Sequence, residues 1–403
     1  MSRLDELIAE LCPDGVEYKK VGEIADYEQP SKYLVKSTDY NDDFEIPVLT
    51  AGQTFILGYT NEIEGIYSAS KDKPVIIFDD FTGAFKWVDF PFKAKSSAMK
   101  MITAKENVLI RYLYHLMGFL NYSSDEHKRL WISVYSELQV PVPPLEVQRE
   151  IVHVLDSFTL LTAELTAELT ARKKQYGYYR DNLLSFSGNA DVKNVPLGDI
   201  AKFVYGYTDK AKETGSARFV RITDISEDGR LNPYDAKYVD LTEESKKYLL
   251  AKGDLLLART GATYGKTLYF ESDEPAVYAS FLIKIILDNS IIKNRYYWHF
   301  SKSSLYWKQA ERYVSKGGQQ QFNTNAVSRV KVPVPSLEVQ DKIIYVLDNF
   351  DAICTDLNIG LPAEIEARQK QYEYYRDLLL TFAETGSTLM TDRQTDRQTD
   401  RQS

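Results

Sequence analysis

The sequence predicts an α+β chain of two globular halves joined by two long helices, the whole related by a pseudo-twofold repeat. Three observations carry that prediction. Residues 140–158, "VPVPPLEVQREIVHVLDSF", return at 332–350 as "VPVPSLEVQDKIIYVLDNF", an offset of 192. Each such leading block runs into a matched trailing block, "ARKKQYGYYRDNLLSF" at 171–186 and "ARQKQYEYYRDLLLTF" at 367–382. Between the blocks lie mixed strand and helix signals in stretches too long for solenoid units and long enough to bury a core each.

The elements follow in order. Residues 3–11, "RLDELIAEL", have helical spacing and stop before the turn signal "CPDG". "KVGEIADY" at 20–27 opens the first half and "PLGDIAKF" at 196–203 the second, so the repeat includes a domain start. In the first half "PVIIF" (74–78) reads as a buried strand, "NVLIRYLYHLMGFL" (107–120) as a helix, and "WISVYSELQVPVP" (131–143) as strand and turn. In the second, "RFVRITDI" (218–225), "DLLLART" (254–260) and "SFLIKIIL" (280–287) read as strands, and "NRYYWHFSKSSLYWKQAERYV" (294–314) as one helix.

Pro141 and Pro143 exclude helix at the head of the leading block, and Pro144 or Ser336 fits a helix start. Downstream, Ile151, Leu155, Phe158, Thr162, Leu165, Leu169, Arg172, Tyr176, Tyr179 and Leu183 recur in steps of four and three, a heptad seam. The second copy keeps Ile343, Leu347 and Phe350, then Tyr372, Tyr375 and Leu379. A helix over 145–186 is about 60 Å long at ~1.5 Å per residue, more than one small domain can cover. Two such seams predict an antiparallel coiled coil, since independent surface helices leave aromatic and leucine stripes exposed.

Two inequalities separate the copies. The first carries the tandem "TAELTAEL" (162–169), a good helix sequence whose length changes by ~6 Å per unit gained or lost. The second carries "DLNIGLPAEIE" (356–366), where Gly360 and Pro362 break the helix and let it restart. The expected domains are therefore 1–144, an N-terminal helix and first globular half; 145–188, the central helix; 189–336, the second half; and 337–385, a C-terminal helix broken near 360–362. Residues 386–403 end in "TDRQTDRQTDRQS", a polar tail expected to be disordered. Thr-Asp-Arg-Gln can be encoded as one tetranucleotide read through three frames, so the tail is either the product of a slippage-prone tract or an inert repeat.

Composition narrows the chemistry. No apolar run approaches a membrane span, and the first residues lack the apolar core of a signal peptide, so a cytoplasmic location is expected. Cys12 and Cys354 with His115, His127, His153 and His299 make no zinc set and read as buried or idle side chains. The net charge of −9 hides an asymmetry: residues 17–139 hold 14 Lys/Arg against 18 Asp/Glu, net −4, and residues 193–331 hold 22 against 16, net +6. The second half is locally basic, as phosphate contact requires; the first needs a clustered face instead.

Catalytic motifs are weak. "GATYGKT" (261–267) has three residues, not four, between Gly261 and Gly265 and so lacks one amide of a phosphate cradle. "NPYD" (232–235) lacks the second proline of the amino-methyltransferase motif, and no Gly-rich turn offers to hold a methyl donor. Asp79, Asp80 and Asp89 with Lys93 suggest a nuclease carboxylate set or, alternatively, turn residues or base-pair acceptors. Binding signals are better. In the first half Gln53 and Thr54 lie in a Gly-containing loop, Lys86, Lys93, Lys95 and Lys100 stand beside aromatics with Ser96 and Ser97, and His127, Lys128 and Arg129 follow. In the second half the candidates are Arg221; Arg259, Thr260, Thr263, Tyr264 and Lys266; and Lys316, Gly317, Gly318, Gln319, Gln320, Gln321 and Asn323. Gln and Asn pair bidentately with adenine, and Lys and Arg with guanine or phosphate.

With the "VPxPxLEVQ" leading blocks and the "RxKQYxYYRDxLL" trailing blocks, the chain resembles the specificity subunits of type I restriction–modification enzymes over residues 1–385. The TAEL tandem, "GLPAEIEARQKQYEYYRD" and first-half segments such as "VIIFDDFTGAFKWVDF" (75–90) are similar to the IC subgroup. The resemblance implies two target-recognition domains, each reading half of a split double-stranded DNA site, held apart by an antiparallel pair of helices. It implies a chain without catalysis of its own, partnered by two modification subunits that bring S-adenosylmethionine and methylate adenine, and by motor-nuclease restriction subunits that use ATP and Mg. It also implies that the TAEL tandem sets the spacer between half-sites. The alternatives are a free-standing two-headed DNA-binding protein, or a nuclease or methyltransferase built on the weak motifs.

Overall fold

The computed structural model describes residues 3–52, 54–121, 129–186, 191–315, 320–356 and 358–382. The TDRQ tail lies outside them. The chain divides into two compact units, one of residues up to Ala163 with those from Glu366 onward, the other Glu164–Ile365.

In the first unit Ala25–Glu28, Met99–Ala104, Val75–Asp79 and Phe85–Val88 form a four-stranded antiparallel sheet in that spatial order. Ile56–Thr60, Ile46–Leu49 and Lys93–Ala94 form a second sheet, whose last pair is parallel. Tyr18–Lys20 pairs with Gln139–Pro141, tying the start of the domain to its end. The second unit repeats all of this. Ala201–Tyr205, Leu282–Leu287, Leu255–Ala258 and Thr267–Tyr269 make the antiparallel four. Tyr238–Val239, Ala217–Val220 and Ala276–Tyr278 make the three, again with one parallel pair, and Lys193–Pro196 pairs with Lys331–Val334. One topology thus occurs twice, although between the blocks the two sequences share little beyond the domain starts and an Arg-Tyr-x-x-His segment.

The duplicated domain starts explain themselves through packing. A Cβ on Gly22 of "KVGEI" meets the Ser136 Cβ at 3.1 Å, and one on Gly198 of "PLGDI" meets the Ser328 Cβ at 2.9 Å, so each glycine lets the start of its domain lie against the end.

The helical blocks are continuous with these cores. The central helix spans Leu145–Ser185, and the C-terminal stretch is two helices, Leu337–Thr355 and Leu361–Leu380, with Pro362 in the first turn of the second. A Cβ on Gly360 would stand 2.6 Å from the Ala352 carbonyl oxygen, which is why the break carries glycine. The seam residues do more than face another helix. Ile151, Leu155 and Leu379 are buried in the core of the first unit with Val21, Tyr112 and Leu113, and Tyr176, Ile343 and Leu347 in that of the second with Tyr296 and Trp298. Leu165 is buried and Leu169 half-buried, and at Leu183 the fully buried position is its neighbour Leu184. Phe158 stacks on Tyr375 (centroids 5.1 Å, 17°) in the first unit and Tyr179 on Phe350 (5.4 Å, 26°) in the second. Each unit therefore pairs the leading block of one copy with the trailing block of the other.

Three sequence expectations change. The stretch 218–225 is a strand only as far as Val220 and then a tight helical turn, Ile222–Asp224. The stretch 294–314 is two helices, Asn294–Ser301 and Ser304–Tyr313, because the Ser303 hydroxyl caps the second by accepting the Tyr306 N–H (3.2 Å). Residues 131–143 hold a helical turn, Leu130–Ser133, and a tighter one, Tyr135–Glu137, before the strand at Gln139; Trp131 and Tyr135 fill the core from those turns. Among the described residues no helix is long and apolar enough to cross a membrane.

Candidate nucleic-acid interface

In the second unit the structure gathers four of the sequence candidates, Arg259, Gln320, Gln321 and Asn323, into one surface, while Thr260 is buried beneath it and is corrected from a DNA contact to a residue that holds the loop. Arg259 follows the strand Leu255–Ala258, and its Nε donates to the Ser280 carbonyl at 3.1 Å. Its guanidinium lies 5.3 Å from the Tyr205 ring centre and 5.4 Å from that of Phe281, rings that are 42% and 52% exposed. The Gln320 carbonyl accepts the Thr260 hydroxyl and the Gly261 N–H, both at 3.3 Å, and the Arg259 carbonyl accepts Phe322 N–H at 2.7 Å. These bonds hold the exposed Gln320 and Gln321 beside Arg259. Tyr205 and Thr324 share a hydroxyl–hydroxyl hydrogen bond (3.3 Å), and the Asn323 side chain caps the short helix after it. The result is an Arg placed beside two exposed rings, with amides alongside: a stacking and hydrogen-bonding surface of the kind nucleic acid uses. Nothing in the sequence singled out Tyr205 and Phe281; they sit 76 residues apart on neighbouring strand ends and meet only in the fold.

Other second-half candidates have different tasks. Arg221 is tied to Asp224 (2.8 Å) and to the Asp235 carbonyl (2.8 Å), leaving it half-buried on the wall of a hollow of about 480 Å³ that Phe281 also lines. "GATYGKT" is a hairpin connection between two antiparallel strands, with Gly261 at φ +71° and Gly265 at φ +81°; it holds one 3-10 turn, Gly261–Thr263, and leads into the strand Thr267–Tyr269 rather than the α-helix a phosphate loop opens. Within it Thr263, Tyr264 and Lys266 are half-buried; Tyr264 packs edge-on to Trp307 and Phe322. Lys316, Gly317, Gly318 and Gln319 lie outside the described residues.

In the first unit the candidates divide. Lys93 is 2% exposed, paired with Glu62 at 2.8 Å and donating to the Glu64 carbonyl at 2.6 Å. Lys100 is fully buried, an ion pair 3.1 Å from Asp80 that is poorly aligned as a hydrogen bond. Neither is free to meet a phosphate, because each is buried against a shielded carboxylate; both are corrected from DNA contacts to structural ion pairs. The same finding removes the nuclease set. Asp79 caps a turn by accepting Phe81 and Thr82 N–H (2.9 and 3.0 Å), and Asp80 accepts Trp131 N–H at 2.8 Å on its other oxygen.

Lys95, Ser96, Ser97 and Thr54 face outward together. Lys95 N–H donates to the Leu49 carbonyl, and the Thr50 hydroxyl to the Thr54 carbonyl, so the loop after Ile46–Leu49 and the turn after Lys93–Ala94 share one rim. Lys95 Nζ is held 3.1 Å from the Tyr40 hydroxyl. Lys86 is exposed on the edge strand Phe85–Val88, a separate place, and Arg129 is exposed before the turn at Leu130. Gln53, His127 and Lys128 lie outside the described residues.

A duplicated fold with unlike rims now stands beside the comparisons. The family model for the type I restriction modification DNA specificity domain matches twice, at residues 13–172 and 189–367. The chain belongs to that family. It is 43% identical over 406 aligned residues to a type I restriction enzyme specificity subunit from Escherichia coli, covering 95% of this chain and 97% of the relative. It is 31% identical to a putative type I restriction enzyme specificity subunit from Haemophilus influenzae, covering 91% and 96%. Among solved structures it resembles the type I S subunit from M. genitalium (14% identity, TM-score 0.54, 91% of this chain and 96% of that one). A chain from a study of type I assembly and conformational transition gives 16%, a TM-score of 0.55, and coverage of 92% and 98%. At those identities the structures establish the shared fold. In this specificity-subunit family, the two matched DNA specificity domains coincide with the two repeats of the strand topology.

Proposed function

We propose that this chain is the DNA-reading subunit of a type I restriction–modification complex, in which each domain reads one half of a split, asymmetric double-stranded site. The observation that carries the reading is one topology used twice with different rims: Arg259 beside Tyr205 and Phe281 in one domain, Lys95 with Thr54, Ser96 and Ser97 in the other. Equal frames give equal placement on DNA, and unlike rims give unlike half-sites.

The duplicated helical blocks support docking of two modification subunits, because matching surfaces bind matching partners. Restriction subunits join through that complex. S-adenosylmethionine, ATP and Mg belong on those partners. On this chain the residues that suggested chemistry are engaged elsewhere: Asp79 in a turn, Asp80 with Lys100, and "GATYGKT" as a hairpin. The test is methylome sequencing of a host carrying this chain and its modification subunit. The expected result is methylated adenines flanking a two-part, non-palindromic site with a fixed spacer; a continuous palindrome would reject the reading.

A further inference from the structure

The two units share a second duplication, one of chemistry. In the first, Tyr372 and His115 are joined at 3.0 Å through Nδ1, His115 Nε2 meets Asp156 at 2.9 Å, and Arg111 Nε donates to the same carboxylate oxygen at 2.7 Å. In the second, Tyr176 meets His299 Nδ1 at 3.1 Å, His299 Nε2 meets Asp348 at 2.7 Å, and Arg295 Nε donates to that oxygen at 2.7 Å. An ionised carboxylate only accepts, so Nε2 carries the imidazole proton and Nδ1 accepts the tyrosine O–H. Each set is one directed chain.

What the chains connect is specific. Arg111 and His115, like Arg295 and His299, are four apart on a domain helix, Ile110–Leu120 or Asn294–Ser301, and share one face of it. Asp156 and Asp348 come from the leading blocks, and Tyr372 and Tyr176 from the trailing block of the opposite copy. One imidazole thus joins a domain to both helical segments beneath it. The leading-block glutamines repeat the pattern: Gln148 accepts Leu109 N–H (2.9 Å) and donates to the Asn107 and Pro143 carbonyls (3.0 and 2.8 Å). Gln340 accepts Lys293 N–H (2.9 Å) and donates to the Ile291 and Pro335 carbonyls (2.9 and 3.0 Å).

We propose that the Tyr–His–Asp–Arg chains are positioning joints that fix the angle of each DNA-reading domain on its own helices, and through it the stringency of the spacer between half-sites. The inference rests on the function proposed above. Its physical basis is that apolar packing around the joint is non-directional and tolerates sliding, whereas a histidine bonded on both nitrogens admits one ring orientation. Buried polar groups of this kind are weak sources of stability, and setting a register is their best-attested use. The duplication argues the same way. At Asp351 the second unit carries a further cluster with Lys302 (2.9 Å) and Arg230, where the aligned first-copy positions are Thr159 and Gly118; that cluster is present once, the joint twice.

The test uses the full complex with its modification subunits and duplexes that hold both half-sites while the spacer is varied by one base pair either way. Tyr372→Phe and Tyr176→Phe delete one hydroxyl each and keep the ring, and Tyr374→Phe, on an exposed tyrosine beside the first, is the control. Expected is wild-type methylation confined to one spacer, with each joint variant raising off-length relative to native-length methylation about tenfold, the scale of one buried hydrogen bond. Half-site sequences and the control should be unchanged. Equal loss at all three spacers, or unchanged ratios in both variants, overturns the joint while leaving the DNA-reading role intact. A wild-type complex that methylates no split site overturns both.

Discussion

Arg259 and Lys100 show how little a residue type says about its task. Arg259 lies beside exposed rings, and Arg259→Ala should weaken recognition of one half-site about ten- to hundredfold while the other half-site is read as before; competition binding with half-site mutants measures this. Lys100 offers the same charge from inside. Lys100→Ala strands Asp80 in the core and should cost about 3–5 kcal/mol in urea unfolding, whereas Lys95→Ala on the rim should cost under ~1 kcal/mol and flatten the salt dependence of DNA binding. The histidines add a pH dependence. Burial holds His299 down to about 4, against the pull of Asp348 and with help from Lys302 and Arg295; burial likewise lowers His115, against Asp156 and with help from Arg111 and Arg376. Unfolded histidine titrates near ~6.5, so between that pH and about 4 the unfolded chain binds the extra proton and stability must fall as pH falls. Urea midpoints between pH 7 and 4.5 should decline, and the decline should be shallower in a His115→Gln, His299→Gln double variant.

At the scale of elements, the helical blocks were the most legible part of the chain. Heptad spacing and the prolines placed a helix from 145 to between 186 and 188, where the structure has Leu145–Ser185, and Gly360 with Pro362 marked the break, because backbone sterics act locally. The TAEL tandem sits inside that unbroken helix. Removing one TAEL shortens it by ~6 Å, against ~3.4 Å per base pair, so the spacer tolerated in methylation assays should shorten by one to two base pairs with both half-sites unchanged. Short elements were harder. The pause at Ser303 within 294–314 was invisible to periodicity, since a single cap interrupts a helix without disturbing its apolar spacing. The same limit hid the joints: Arg-Tyr-x-x-His occurs at 111–115 and 295–299, but its partners are separated from it by tens to hundreds of residues.

For the molecule as a whole, the two domains share a frame and differ at their rims. Exchanging residues 1–144 for the first domain of another specificity subunit should change one half-site in the methylome and leave the other intact; a change in both would mean that the domains do not read independently. The sequence by itself determined the duplicated plan, the long helix, its broken counterpart and the family, because repeats, prolines and helical periodicity are written in neighbouring residues. Only the tertiary structure decided which cations face outward. Lys93 and Lys100 read like Lys95 in the chain, and what separates them is the carboxylates that long-range strand pairing brings to them. It also decided that Tyr205 and Phe281 lie beside Arg259 and that each histidine joins three segments, for burial and hydrogen-bond partners are properties of the fold, while composition records only the supply of groups.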